Sequence, residues 1–303
     1  MNSAKLFDPV HAVAIVGMGV MGTKVAWACA RAGVPVQAFD VDEAKIEASI
    51  ALALSWSEGL ERDRVERLMV ARPKLEQAVE GVQLVFENVP EIDEIKREVI
   101  QRIDALAPAD LPIGSNTSSM RASEIAAHCS RPDRVFAMNF SDPRTDRLVE
   151  LMGHSQSDPA VLAFAEAWAR HLRMVPVRTH KEQMGYAMNR LWRVIKREAL
   201  RQVAEGITTP ADLDRAWMLV FGMPIGPFGI MDEVGLETIL HIEERYARAG
   251  ADPTDHPPQF LHDMVAAGRT GSRAGGGFYR HPQPAYRRPD FLDKGESIST
   301  DTD

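Results

Sequence analysis

A glycine-rich turn between a buried strand and a helix constrains this chain more than any other feature. Residues 17–22 read G-x-G-x-x-G and follow a short apolar, β-branched run at residues 12–16. A helix rich in alanine is predicted for residues 21–32, and the next strand, residues 36–39, is followed directly by Asp40. A strand, a glycine turn, a helix and an acid in this order are typical of a dinucleotide-binding βαβ unit.

Each glycine of this turn has its own physical role. Gly17 allows the tight turn after the strand, and Gly19 lets a pyrophosphate approach the backbone N–H groups. Gly22 lets the helix pack closely on the strand. The free N–H groups at the start of the helix, around Val20 and Met21, favour an anion together with the helix dipole.

The acid after the second strand predicts which dinucleotide binds. Asp40 is expected to accept hydrogen bonds from the adenosine ribose hydroxyls. Its carboxylate would repel a 2′-phosphate, and residues 41–43 (VDE) contain no arginine to offset that charge. The sequence therefore predicts NAD, in preference to NADP, as the cofactor.

Composition excludes several other classes of protein. The chain has 303 residues, which corresponds to about two domains of roughly 150 residues each. The formal net charge of −8 disfavours a nucleic acid as partner. No apolar run reaches the roughly 18–20 residues that span a bilayer, and no secretory signal is visible at the start. The two cysteines, Cys29 and Cys129, favour a reducing compartment, so we expect a cytoplasmic protein.

The order of the remaining segments predicts two domains. Apolar runs at residues 84–89, 111–115, 135–140 and 174–177 alternate with helical stretches, as in a doubly wound parallel sheet. From about Met184 only helical patterns follow, with apolar residues at helical spacing from Met188 to Val203. We therefore predict an α/β domain at residues 1–183, an all-helical domain at 184–281 and a loose tail at 282–303.

A series of ordered motifs extends this interpretation over most of the chain. Beyond the glycine turn, they comprise residues 85–91 (VFENVPE) with Lys96, 115–119 (SNTSS), 148–150 (LVE), 185–190 (GYAMNR), 226–228 (GPF) with Asp232, and 271–279, which end in GFY. In this order the motifs resemble the 3-hydroxyacyl-CoA dehydrogenase family, which includes L-gulonate and carnitine dehydrogenases. The resemblance covers about residues 11–281. It implies an N-terminal Rossmann-type NAD domain and a helical C-terminal domain through which two subunits pair.

The resemblance also implies roles for individual residues. Ser118 and Asn189 fall where the family contacts its substrate, although the residue types alone also suit a helix cap and a buried structural amide. Glu150 falls where the family orients its catalytic histidine. Glu91 and Lys96 fall where the family approaches the nicotinamide end of the cofactor, and Asn116 is expected among the cofactor-binding residues. No metal site is expected.

One turn departs from the family pattern at the position of the catalytic base. Residues 139–143 read NFSDP, so Asn139 stands where the family has its catalytic histidine and Asp142 where the turn has an asparagine. The stretch from Asn139 to Glu150 is also one residue shorter than is usual. Histidine titrates in the range that suits a general base, whereas an amide donates a hydrogen bond but exchanges no proton.

Three interpretations of this departure remain open. In the first, Asn139 polarises the reacting oxygen and a carboxylate, Asp142 or Glu150, handles the proton, with one pKa raised because the two acids disfavour each other's ionisation. In the second, the substrate needs polarisation alone. In the third, the chain is a cofactor-binding relative with little activity. His154, four residues after Glu150, is a further candidate base, although a lone histidine near a strand end also suits a surface position. Asp142 equally suits a cap or a salt bridge in the turn before Pro143.

The segment after the second strand bears on the size of the substrate. In acyl-CoA members of the family a helical hairpin here carries lysines towards the CoA phosphates. Residues 41–80 hold six basic and nine acidic residues, a net charge of −3, and the segment looks shorter. A site for a triply phosphorylated group should be basic. We therefore expect an NAD-dependent dehydrogenase for a small polar hydroxy acid or carbonyl, with a true 3-hydroxyacyl-CoA dehydrogenase as the alternative.

Overall fold

The computed structural model describes residues 11–250 and 255–293. Contacts within the chain divide it into two compact units, with the division after Asn189. The predicted boundary, between residues 183 and 184, lies six residues earlier. The division falls inside a helix, where the sequence pattern marks no break.

The first unit alternates strands and helices. Its strands are β1 (Val13–Val16), β2 (Val36–Phe39), β3 (Met69–Ala71), β4 (Leu84–Glu87), β5 (Ile113–Ser115), β6 (Val135–Phe140), β7 (Leu148–Met152) and β8 (Val175–Thr179). Its helices are α1 (Val20–Arg31), α2 (Glu43–Ser55), α3 (Gly59–Leu68), α4 (Leu75–Val79), α5 (Asp93–Leu106), α6 (Ala122–Ala126) and α7 (Pro159–His171). Helix α7 begins at the cap Asp158, whose side chain accepts a hydrogen bond from the N–H of Ala160, as its Asp-Pro start predicts.

The eight strands form one sheet in the order β3-β2-β1-β4-β5-β6-β7-β8. Neighbouring strands from β3 to β6 are parallel, β7 pairs antiparallel with β6, and β8 pairs parallel with β7. The strand order reverses between β1 and β4. In such sheets ligands bind outside the carboxyl ends of the strands at this reversal, so the topology alone locates the site.

Both faces of the sheet are covered, and β1 shows how. Val13 and Ile15 point into a core with side chains of α1 and α7, whereas Ala14 and Val16 point into a second core with side chains of α5 and α6. A strand buried on both faces has to be apolar throughout, which explains the continuous run in the sequence. The predicted doubly wound α/β fold is confirmed.

Two strands and one helical pair differ from the sequence prediction. The sequence predicts no strand at β3, which is only three residues long and largely exposed. It marks part of β7 as a motif but not as a strand. Residues 41–80, which look short in the sequence, nevertheless form the helical pair α2 and α3, both packed against α1. Short strands pair with distant residues, so local patterns carry little information about them.

The second unit is helical, as predicted. It comprises most of α8 (Tyr186–Ala204), then α9 (Pro210–Phe221), α10 (Pro227–Val234), α11 (Leu236–Ala249) and α12 (Gln259–Ala266). Thr209 caps α9 by accepting the N–H of Asp212, which the Thr-Pro-Ala-Asp sequence predicts.

Two buried carboxylates connect the motifs of this unit. Asp214 accepts the N–H groups of Phe228 and Gly229 at the start of α10 (2.8 and 2.9 Å). Asp232 accepts the N–H of Tyr279 (2.9 Å), and the Tyr279 hydroxyl donates to Asp214 (2.8 Å). Leaving such donors unpaired would cost about 1–3 kcal/mol each, so the GPF and GFY motifs of this chain have a structural basis.

The prediction of a loose tail from residue 282 is wrong for its described part. Tyr286 and Phe291 are each only 4% exposed and belong to the core of the second unit. Arg215 also donates to the carbonyl oxygen of Phe291 (2.7 Å). Two aromatic anchors therefore hold a segment whose proline-rich, polar composition suggested a loose chain. Residues 294–303 of the predicted tail lie outside the described residues.

Candidate active site

A cleft of about 530 Å³ lies at the carboxyl ends of the parallel strands of the first unit. Loops that follow β1, β2, β4 and β5 line it together with the last two residues of β6, because these ends meet at one edge of the sheet. The predicted site residues among its lining are Gly17, Gly19, Val20, Met21, Asp40, Glu91, Asn116, Ser118 and Asn139. The predicted site residues that do not line the cleft are Gly22, Lys96, Asp142, Glu150 and Asn189.

The glycine turn has the geometry that a pyrophosphate requires. Gly17 has a φ of 92°, a conformation that favours glycine. A Cβ atom on Gly22 would lie 1.9 Å from the carbonyl oxygen of Gly17, so α1 packs on β1 only without that atom. A Cβ on Gly19 would meet nothing within 4 Å and would project into open space at the start of α1, where no side chain caps the helix. The first N–H groups of α1 therefore remain available for an anion.

Asp40 is held in place at the end of β2. One carboxylate oxygen accepts the N–H of Met18 (2.8 Å), and the other accepts the N–H of Asp42 (3.1 Å). The first bond links the acid to the glycine turn, and the second holds it against its own backbone, so the two together fix the orientation of the carboxylate. The arrangement suits recognition of ribose hydroxyls, and together with the glycine turn it fits a dinucleotide.

Lys96 lies beneath the cleft in a buried ion pair. Its ammonium group is 3.0 Å from Glu87 and 3.4 Å from Glu91, and Lys96 is 1% exposed. Burial raises the pKa of Glu87, although the charge of Lys96 and a hydrogen bond from Ser115 act in the opposite direction. Sequence reasoning missed Glu87. The signal was an acid at the end of an otherwise apolar strand, a place where a charge needs a partner.

Glu91 organises the loop after β5. Its Oε1 atom accepts the hydroxyl of Thr117 and the backbone N–H groups of Ser118 and Ser119 (3.1 and 3.0 Å). Burial acts to raise the pKa of Glu91, but the charge of Lys96 and the hydrogen bonds from this loop lower it below its usual value. Glu91 is therefore a charged anchor for the loop and a poor proton acceptor.

The same loop meets the first residues of α8. The side-chain amide of Asn189 donates to the carbonyl oxygen of Ser118 (3.2 Å). The two residues that are predicted to contact the substrate are therefore neighbours. Ser118 does not cap a helix, because α6 begins after Arg121. Asn116 donates to Asn88 (2.8 Å) and accepts the N–H of Phe140 (3.3 Å), which connects the loops after β4, β5 and β6.

Asn139 and Glu150 face each other across two strands. They are directly opposed in the antiparallel ladder of β6 and β7, and the Asn139 Nδ2 atom is 3.5 Å from Glu150 Oε2. Glu150 is 1% exposed, and its other oxygen accepts the N–H groups of Ala187 and Met188 (3.0 and 2.9 Å). Glu150 is therefore held in one orientation, in contact with Asn139 and outside the lining of the cleft.

The structure does not support Asp142 or His154 as the proton acceptor. Hydrogen bonds from Arg144, and then from Lys24, hold the pKa of Asp142 well below its usual range, opposite to the rise that the sequence suggested. The other candidate, His154, follows the end of β7, and its Nε2 atom lies 3.0 Å from the carbonyl oxygen of Pro132. Because β7 runs antiparallel to β6, this end points to the edge of the sheet away from the cleft.

These features define a Rossmann-type dinucleotide-binding protein, and comparison with known proteins specifies the family. The family model described as 3-hydroxyacyl-CoA dehydrogenase, NAD binding domain, matches residues 12–183. The model of the C-terminal domain of the same family matches residues 185–281. The chain belongs to the 3-hydroxyacyl-CoA dehydrogenase family.

Individual relatives cover nearly the whole chain. A 3-hydroxybutyryl-CoA dehydrogenase of Mycobacterium tuberculosis is 33% identical over 285 residues, 90% of this chain and 99% of the relative. A 5-formyl-3-hydroxy-2-methylpyridine 4-carboxylate 5-dehydrogenase of Mesorhizobium japonicum is 29% identical over 285 residues, 89% of this chain and 90% of the relative. The crystal structure of (S)-3-hydroxybutyryl-CoA dehydrogenase from Ralstonia eutropha has a TM-score of 0.85 and 29% identity, and covers 90% of this chain and 100% of that one.

The comparisons confirm two predictions, the enzyme class and the cofactor. The chain is an NAD-dependent dehydrogenase that acts on a hydroxyl or carbonyl group. Its glycine turn and fixed Asp40 fit NAD, which supplies hydride chemistry when it is bound.

Two glycine variants should separate folding from cofactor binding. We expect Gly22→Ala to lower the melting temperature strongly, because its new methyl group overlaps the Gly17 carbonyl. Gly19→Ala should leave the melting temperature nearly unchanged but weaken NADH binding by about tenfold, roughly 1.4 kcal/mol, because its methyl group enters the anion site. Calorimetry and NADH titration measure the two effects. Unchanged NADH affinity in Gly19→Ala would contradict the assignment of the pyrophosphate site.

Proposed function

We propose that the enzyme transfers hydride between NAD and a small polar hydroxy acid or carbonyl compound. The observation that carries this proposal is the charge of the whole segment after β2. Residues 41–80, which include α2 and α3, have a net charge of −3. A segment with this charge offers no basic surface for the phosphates of coenzyme A. The Mesorhizobium relative, which by its name acts on a pyridine carboxylate, supports a free acid as substrate.

In this proposal Asn139 binds the reacting oxygen. A side-chain amide has two N–H donors. One points to Glu150 at 3.5 Å, which leaves the other for an oxygen in the cleft that Asn139 lines. The amide stabilises negative charge that develops on that oxygen, and Ser118 and Asn189 bind the rest of the substrate.

Glu150 is the remaining carboxylate of the predicted pair. It fixes the amide of Asn139, and we assign to it the exchange of the hydroxyl proton. Because its other oxygen is held by two backbone N–H groups, this exchange is less effective than that of a histidine at position 139. A missing general base typically costs about 10²–10⁴ in rate, so turnover in the direction of hydroxyl oxidation should be slow.

A substrate panel tests the proposal. NADH formation is followed with free hydroxy acids, including 3-hydroxybutyrate, and with 3-hydroxybutyryl-CoA at equal concentrations. We expect a higher kcat/KM for a free acid. A higher kcat/KM for the thioester would favour the alternative that the Mycobacterium and Ralstonia relatives suggest, a 3-hydroxyacyl-CoA dehydrogenase.

Replacing Asn139 by histidine should raise activity. Glu150 already lies opposite position 139, so Asn139→His restores a histidine–carboxylate pair and should raise kcat by about 10²-fold or more. The neutral histidine is the base, so the rate should rise with pH through the histidine pKa. In the matched control, Asn139→His combined with Glu150→Gln, most of the gain should be lost. If the wild type turns over no substrate and Asn139→His does, the natural protein is a catalytically lapsed relative.

We also expect NAD to bind more tightly than NADP. Both oxygens of Asp40 are held by backbone N–H groups, so its charge stays at the ribose position and repels a 2′-phosphate. Isothermal titration should give a Kd for NADP at least about tenfold weaker than that for NAD. Asp40→Ser should reduce the ratio between the Kd for NADP and the Kd for NAD. Tighter binding of NADP by the wild type would contradict the prediction.

We propose a homodimer through the second unit. The end of α9 exposes Leu219, Val220 and Phe221, which are 60%, 75% and 61% accessible, and Met223 follows them. Exposed apolar side chains concentrated at one helix end favour an interaction surface, and a second copy of the chain is the occupant that the family's pairing implies.

Light scattering tests this assembly. The wild type should have twice the mass of one chain at micromolar concentration, and Val220→Asp should shift it towards a single chain. Leu60→Asp, at an 84% exposed position on α3 of the first unit, is the matched control and should leave the mass unchanged. A wild-type particle with the mass of one chain would refute the dimer.

The cytoplasm remains the compartment that we propose. Cys29 and Cys129 are both free thiols, in agreement with a reducing environment.

Among residues 11–250 and 255–293, no helix combines the length and the hydropathy of a membrane span.

A further inference from the structure

We propose that Asp142 is a positioning residue: with Lys24, Arg144 and Trp56 it holds the turn between β6 and β7 against α1, and thereby places Asn139 in the cleft. These four residues are called the turn clamp. The inference rests on the proposed role of Asn139. It assigns a purpose to the acid that stands in this turn where the family has an asparagine.

The first part of the turn clamp is ionic. Lys24, on α1, places its ammonium group 2.8 Å from Asp142 Oδ2. Arg144 binds the same carboxylate side-on, with Nη2 2.8 Å from Oδ2 and Nε 3.1 Å from Oδ1. Two cations therefore share one carboxylate, which hydrogen bonds from Arg144 and Lys24 keep ionised by holding its pKa low.

The second part is aromatic. The guanidinium carbon of Arg144 lies 4.3 Å from the ring centre of Trp56, the residue that ends α2. Trp56 contacts Trp27 of α1 edge-on, with ring centres 6.1 Å apart. The indole N–H of Trp27 donates to Ser57 (2.8 Å), which fixes the α2–α3 connection on α1. The guanidinium is thus held between a carboxylate and an aromatic face.

These contacts join the two parts of the site that must keep a fixed separation. Lys24 and Trp27 lie on α1, whose first residues form the anion site, and Asp142 lies three residues after Asn139. The turn itself is tight, because the carbonyl oxygen of Asp142 accepts the N–H groups of Thr145 and Asp146 (3.0 and 2.8 Å). A displacement of Asp142 would therefore move the end of β6.

Because its side chains are partly buried, this network should contribute more to holding the turn in place than an exposed ion pair does. The side chains of Lys24, Asp142 and Arg144 are 15%, 21% and 33% exposed. A single exposed pair contributes little, but a shared bidentate carboxylate with a stacked guanidinium restricts all three side chains together. Catalysis depends on such placement, since an error of about 1 Å can cost about 10²-fold in rate.

Steady-state kinetics with the best substrate of the panel tests the turn clamp. Asp142→Asn keeps the size of the side chain and removes its charge. We expect kcat to fall about tenfold, with the KM for NAD changed by less than about twofold and the pH profile of kcat unchanged. Asp142→Glu should restore part of the rate. Asp146→Asn, in the same turn and exposed, is the matched control and should keep the wild-type kcat.

A second variant tests whether the contact with α1 carries the effect. Lys24→Met should lower kcat in the same direction. When it is combined with Asp142→Asn, the loss should be smaller than the product of the two single losses, because both remove one interaction. A product of independent losses would overturn the proposal.

Four other outcomes decide between the turn clamp and the proposed function. An unchanged kcat in Asp142→Asn overturns the turn clamp, and so does the loss of an ionisation from its pH profile, which would make Asp142 the proton acceptor. If Asn139→Ala keeps the wild-type kcat, or the wild type turns over no substrate, the proposed function fails instead. Hydrogen exchange of the amides at residues 141–147 then tests the turn clamp: faster exchange in Asp142→Asn at an unchanged melting temperature supports it, and equal exchange overturns it.

Discussion

The close contact between Gly22 and Gly17 is the constraint on which the rest of the site depends. A Cβ on Gly22 would lie 1.9 Å from the Gly17 carbonyl, so only glycine lets α1 approach β1 this closely. This approach brings the start of α1 to the carboxyl ends of the strands, where the loops after β4, β5 and β6 also begin. It also sets the position of Lys24, one turn further along α1, and therefore of the β6–β7 turn that Lys24 contacts.

A buried ion pair between β4 and α5 supports the loops after β4 and β5. Glu87 and Lys96 are almost fully buried, and such a pair offsets its own desolvation only when further hydrogen bonds complete it. Here Ser115 and the N–H of Val89 donate to Glu87. Removal of either charged partner would leave an uncompensated charge, typically a loss of about 3–5 kcal/mol. The pair thus ties α5 to β4 and supports Glu91, which organises the loop of Ser118.

The parts of this structure that the sequence predicts are the local ones. The β1–α1–β2 unit, the caps at Asp158 and Thr209, and the place of Asp40 all depend on residues close together in the chain. The errors involve distant partners. The sequence does not show the cation beside Asp142, because Lys24 comes from another element. It predicts a loose segment at residues 282–293, because the core that buries Tyr286 is built from distant helices. Strand β7 sets Glu150 opposite Asn139 through its pairing with β6, and no local sequence pattern shows such a pairing.

The antiparallel pairing of β6 and β7 sets the geometry around position 139. The register that sets Asn139 opposite Glu150 is a property of the two backbones, so it holds whichever side chain occupies position 139. The two backbone N–H groups at the start of α8 likewise hold Glu150 independently of its neighbour. Under the proposed function, the residue at position 139 therefore decides the chemistry at this point: a histidine would exchange a proton, whereas Asn139 donates a hydrogen bond, and the cofactor cleft with its supporting charges is the same in both cases. A site built in this way can adopt a substrate that needs polarisation more than it needs a base.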